Sequence, residues 1–164
     1  MKVVLLKELR QGLVNLCLMF SILFVLYLTL IPHHSIDTGT ALGPAHYFDY
    51  NLNPFILFES LPHVSLFYLV VDVIGNIVLF LPFGFCLTMK FPELKGVQIL
   101  FLGAFFSSTI ECIQLFLPNR ITDIDDVILN TTGAVIGYFL FRRIEKEQKK
   151  EELEMAHAHM NDHS

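Results

Sequence analysis

Charge is scarce in this chain. Asp, Glu, Lys and Arg make up 16% of its 164 residues, where a soluble domain carries about a quarter. Lys and Arg are missing altogether between residues 33 and 65. There is no basic patch that would suit nucleic acid, which removes nucleic acid as a partner. Cysteine is sparse too. Cys17, Cys86 and Cys112 each lie inside an apolar block, and none forms a C-x-x-C pair. They read as small apolar packing residues, not as disulfides or metal ligands. Patterns of the G-x-S-x-G, H-E-x-x-H, P-loop and dinucleotide-binding kinds are absent, so neither a reaction nor a cofactor can be read from a motif.

What the chain does have is apolar length. Its composition is 54% hydrophobic, gathered in four blocks. A bilayer core of roughly 30 Å needs about 20 helical residues. The blocks predict spans over residues 12–31, 66–89, 97–117 and 122–142. The first follows a basic start (Lys2, Lys7, Arg10), as a signal peptide would. Its apolar run is longer than a signal core and no A-x-A site follows, so it reads as a retained span ended by Pro32. In the second, Pro82 cannot donate to the carbonyl of Val78, and a bend is expected there. The fourth block is short: Val127–Phe141 covers only about 22 Å. To cross, its helix must start near Thr122, which draws Asp123 and Asp126 to the membrane edge. The expected fold is an all-α membrane protein, a four-transmembrane-helix bundle over residues 1–143, with a charged, helix-prone tail over 144–164.

Residues 33–65 form a long polar connection. Within it, Asn53–Phe58 is aromatic and apolar and is expected to lie in the interface or re-enter the membrane. Lys and Arg set the orientation. Three lie at the N-terminus, two in the Lys90–Lys95 turn and five in the tail. With four spans these regions share one side, the cytoplasm by the positive-inside rule. Arg120 alone falls on the outer side.

Polar side chains then come to one depth. Asp72 and Asn76 share a helix face at i,i+4; Glu111 and Gln114 do so at i,i+3. Asp123, Asp126 and Asn130 form a stripe at the start of the fourth span. A charge at a helix centre costs about 2.5–3.5 kcal/mol, and such groups face the bundle interior, pair, or mark a functional path. Arg120 can bridge two carboxylates or hold an anionic ligand. A structural reading stands beside this one. Thr122-x-x-Asp125 and Asp123-x-x-Asp126 resemble capping boxes, and acids there suit the helix dipole. Capping does not account for Glu111 or Asp72, which lie inside spans. Gly133-x-x-x-Gly137 is a close-packing motif for helices in lipid. His33, His34, His46 and His63 match no standard metal spacing, and no metal site is expected. His157, His159 and His163 read as a solvated end, and Asn130-Thr131-Thr132 lies in a span, unsuited to glycosylation.

Four elements in order resemble those of the VanZ-like family of bacterial membrane proteins. They are Asn51-Leu52-Asn53-Pro54-Phe55, Gly75–Gly84 (G-N-x-x-x-F-x-P-x-G), Ser107…Ile110-Glu111…Gln114 (S-x-x-I-E-x-x-Q), and Arg120…Asp123…Asp126…Asn130…Gly133. The resemblance implies a Gram-positive plasma-membrane protein, and the family takes its name from low-level resistance to the glycopeptide teicoplanin. The first expectation is an outward-facing polar pocket that binds a lipid, a lipid-linked envelope precursor, an anionic headgroup or a glycopeptide, through Arg120, Gln114, Asn130, Asn76 and Asp72. The second is an intramembrane enzyme acting on a lipid-linked substrate, with Glu111, Asp126 and Asp123 as catalytic candidates. The third is a scaffold in which these groups only lock the helices together.

Overall fold

A computed structural model describes residues 2–31, 47–54, 66–118 and 120–161. The expected re-entrant stretch beyond Pro54, Pro32, the histidines His33, His34, His46 and His63, and His163 lie outside these residues.

In lipid, a spanning segment must satisfy its backbone hydrogen bonds within itself, so long apolar runs become helices. Among the described residues, four helices are long and apolar enough to cross a membrane, and the chain is a multi-pass membrane protein. They are α1 (Lys2–Leu30), α2 (Leu66–Lys90), α3 (Gly96–Gln114) and α4 (Ile124–Asn161). Two short strands join the connections: β1 (Asp49–Asn51) pairs in parallel with β2 (Ile121–Asp123), with Tyr50 opposite Thr122. α2 runs unbroken through Pro82. At the start of α3, the Gln98 side chain accepts the Lys95 N–H at 2.8 Å.

Hydroxyls inside the helices are satisfied locally. Ser21 donates to the Leu18 carbonyl and Thr88, fully buried, to that of Gly84. This back-bonding removes the cost of a bare hydroxyl in an apolar surround. Large apolar side chains such as Phe20, Phe67, Phe101, Phe105 and Phe139 point outward, as a lipid-facing surface requires. The core is built on Phe80, Phe83 and Phe106, with ring centroids 4.9 to 6.0 Å apart, together with Val25, Ile99, Ile110 and Ala134.

α4 packs chiefly on α2, then on α3, and α1 lies against α2. Glycine sets the first of these pairs. A Cβ on Gly84 would strike the backbone of Ala134; one on Gly133 would strike Ile77, and one on Gly137 would strike Leu81 and Phe85. The two helices therefore touch backbone to backbone, and Gly133-x-x-x-Gly137 packs inside the bundle against α2.

α4 extends much further than the fourth expected span. Its 38 residues reach about 57 Å. Arg142 marks where it leaves the bundle. Its guanidinium donates to the carbonyls of Pro92 and Leu94 in the α2–α3 turn, lies over the Tyr138 ring and pairs with Glu145 at 3.0 Å. Ile124–Phe141 therefore spans about 27 Å, and the charged tail continues as the same helix. We call the end holding this turn the basic end. The opposite end, where α1 and α3 finish and α2 and α4 begin, is the polar end.

Candidate functional site

A helix leaves its last carbonyls and its first N–H groups without internal partners. At the polar end several such termini meet, and the polar side chains serve them. From α3, Gln114 donates to the Thr29 carbonyl of α1 at 2.9 Å. From the α3–α4 connection, Arg120 donates to the Ile31 carbonyl at 3.0 Å. A cation at the C-terminal end of α1 also suits its dipole. Glu111, only 4% exposed, accepts the N–H of Asp123 at 2.8 Å, and its own carbonyl accepts the Thr122 hydroxyl at 2.9 Å. So α3 holds the chain entering α4 by two bonds, one from a side chain and one from backbone.

Asp123 caps α4. One of its oxygens accepts the Asp125 N–H at 2.9 Å and the Asn51 amide of β1 at 3.0 Å. β1 is held further by Phe48, whose N–H donates to the Leu115 carbonyl at 3.2 Å and whose ring meets Phe116 edge-on. Phe48 has φ 63°, a strained backbone for a side chain of its size. Inside α4, Asp126 accepts the Asn76 amide of α2 at 2.6 Å. Asp72 lies one turn from Asn76 and is exposed. Deeper in the bundle, buried Asn130 donates to the Ser107 hydroxyl of α3 at 3.0 Å. The Asn130 side-chain Oδ1 and the Thr131 hydroxyl are buried with no hydrogen-bond partner among the described residues.

The structure thus puts Asn76, Glu111, Gln114, Arg120, Asp123, Asp126 and Asn130 at the polar end, where Gln114 and Arg120 hold the end of α1 and the other five fall in three hydrogen-bonded groups. Glu111 and Asp123 form one, Asn76 and Asp126 another, and Asn130 and Ser107 the third and deepest. Two details differ from what the sequence suggests. Arg120 forms no ion pair with a carboxylate among the described residues; it holds α1 instead. Of the two apparent capping boxes, only Asp123 caps, since the Thr122 hydroxyl turns to Glu111. No group of three His, Cys, Asp or Glu among the described residues is placed to hold a metal ion. Sequence reasoning did not assign Asn51 to the site. Its only signal was its place in the Asn51–Phe55 element, because three-residue strands carry no readable alternation.

Comparison with known proteins agrees with this arrangement in extent. The family model described as VanZ/LLP1 matches residues 18–145. The chain belongs to the VanZ/LLP1 family. It is similar to Protein VanZ of Enterococcus faecium, with 32% identity over 83 residues, covering 51% of this chain and 52% of that protein. The chain spans about half the length of the curated relative it matches. No solved structure matches it. Every polar-end residue named above falls inside the VanZ/LLP1 match, whereas most of the projecting tail of α4 falls outside it.

Proposed function

We propose that this VanZ/LLP1 protein acts in the envelope response to glycopeptides such as teicoplanin, by binding an anionic headgroup of a lipid or lipid-linked envelope precursor at its polar end. In the proposed orientation the basic end and both termini face the cytoplasm, because ten of the eleven Lys and Arg residues lie there. The polar end then faces outward. Arg120 carries the reading. It is the one basic residue outside the basic end. One nitrogen is used on Ile31, and no carboxylate among the described residues comes within ion-pair distance of it. A guanidinium has five donors, enough to keep Ile31 and also take a phosphate or carboxylate. Of the acids nearby, Glu111 is closed in, whereas Asp123 and Asp126 are half-buried and within reach of a ligand's hydroxyl or amine groups.

A scaffold reading has its own support, since Glu111, Gln114 and Arg120 each close a helix end. Abundance and phenotype separate the two. With Arg120→Ala, membrane abundance is expected to stay within about twofold, because the Ile31 carbonyl lies at a wet helix end. Loss of a charged hydrogen bond to the headgroup costs about 1.5–3 kcal/mol. That is about tenfold or more in affinity, so teicoplanin protection should fall to the level of cells without the protein. Arg120→Lys should keep part of it. Loss of the protein along with the phenotype would assign Arg120 to the scaffold.

A further inference from the structure

Far from the polar end, a cleft of about 260 Å³ opens on the outside of the bundle between α1 and the last residue of α2. Leu18, Met19, Ile22 and Leu23 line its walls, and Asn15 and Lys90 are its polar groups. Asn15 to Leu23 covers about 12 Å along α1, so the cleft runs along the helix and not across it. Its depth is fixed by the neighbouring turn. Lys90 ends α2 next to the residues that Arg142 grips, at the membrane edge of the basic end. The wall residues lie progressively deeper, in the hydrocarbon.

No carboxylate lines the cleft, and Lys90 forms no ion pair among the described residues. Its ammonium sits 5.4 Å from the Phe91 ring centre, a contact that holds it at the rim without neutralising it. An open apolar cleft with one cation and one amide at its mouth suits a lipid whose acyl chain lies along the walls and whose headgroup carries net negative charge at the rim. We propose that the α1–α2 cleft is a binding site for an anionic phospholipid of the leaflet at the basic end, with its phosphate on Lys90 and Asn15 and an acyl chain along Leu18, Ile22 and Leu23. Basic recesses between helices at this depth are a recurrent way of holding acidic headgroups. The site owes nothing to the polar end and does not depend on the reading given for it.

Native mass spectrometry of the full chain tests the proposal. The purified protein is titrated with phosphatidylglycerol and with phosphatidylcholine of the same acyl chains. Phosphatidylglycerol is expected to be retained about fivefold more, the order that one lysine contributes beside an anionic headgroup. Lys90→Gln should bring it down to the phosphatidylcholine level, and Lys90→Arg should restore it. Ile22→Trp fills the cleft and should reduce both lipids, while circular dichroism confirms that helix content is kept. Lys7→Gln, which alters a basic residue outside the cleft, should change little. Equal retention of the two lipids by the wild type would overturn the proposal. So would a phosphatidylglycerol preference that survives Lys90→Gln, or retention of phosphatidylglycerol that Ile22→Trp leaves undiminished.

Discussion

Gly133→Leu is expected to remove the folded protein from the membrane. A side chain at residue 133 would have to enter the space of the Ile77 backbone. Backbone cannot swing aside as a flexible side chain can, so α2 and α4 must separate. Overpacking a tight core costs about 1–3 kcal/mol, and here the upper end or beyond applies, because separation also disturbs the Gly84–Ala134 and Gly137–Leu81 contacts. Total stability is only about 5–15 kcal/mol. It would also pull Asn76 from Asp126, which lie at the polar end of the same helix pair. Fluorescence-detected size exclusion with a heating step reads the outcome: a broad or void peak, with a melting point well below wild type. Gly75→Ala is the matched control. Nothing lies within 4 Å of a Cβ there, and replacing a helical glycine with alanine gains about 0.5–1 kcal/mol. It should melt at or above wild type. If Gly133→Leu folded normally, the backbone contact of α2 with α4 would be wrong.

Glu111 should show the second largest effect, and the choice of replacement decides its meaning. Its carboxylate accepts the Asp123 N–H in a site that is 4% exposed. Glu111→Leu has similar bulk but no acceptor. The Asp123 N–H is then left bare, at about 1–3 kcal/mol, and the start of α4 loses its hold on α3. Glu111→Gln keeps a carbonyl oxygen for the same N–H. Membrane abundance and melting point should therefore fall clearly with Leu and stay near wild type with Gln. Equal damage from both would mean that the negative charge matters and the acceptor does not.

The parts of this protein that were legible in the sequence are those set by composition and local spacing. Apolar length gives four helices, because lipid leaves a spanning backbone no other choice. Their positions within the apolar blocks put Asn76, Glu111, Gln114 and Asp126 near one end, and i,i+3 or i,i+4 spacing puts neighbours on shared helix faces. Gly133-x-x-x-Gly137 signals a close helix contact, though not which helix it meets. Long-range partners were not legible. Arg120 stands beside an acidic run in the sequence yet bonds to Ile31, 89 residues away. Which terminus a side chain closes depends on how the helices dock, and no local pattern encodes that. The same holds for Asn51, brought to Asp123 by strands only three residues long. The helical continuation of α4 through the charged tail, by contrast, was legible. Hydrophobicity ends near Arg142, but helix propensity does not: the Glu and Lys pairs from Glu145 to Glu154 sustain the helix at i,i+4 spacing.

The account as a whole requires the polar end to face out of the cell. The direct measurement is thiol labelling on intact cells with a membrane-impermeant maleimide, in a background where Cys17, Cys86 and Cys112 are replaced by serine or alanine. Ile121 is 60% exposed and leaves the cluster's hydrogen bonds intact when replaced; Glu93 sits exposed in the opposite turn. Ile121→Cys should label on intact cells, and Glu93→Cys should label only after permeabilisation. Labelling of Glu93→Cys from outside, with Ile121→Cys protected, would put the polar residues in the cytoplasm and contradict the proposed site.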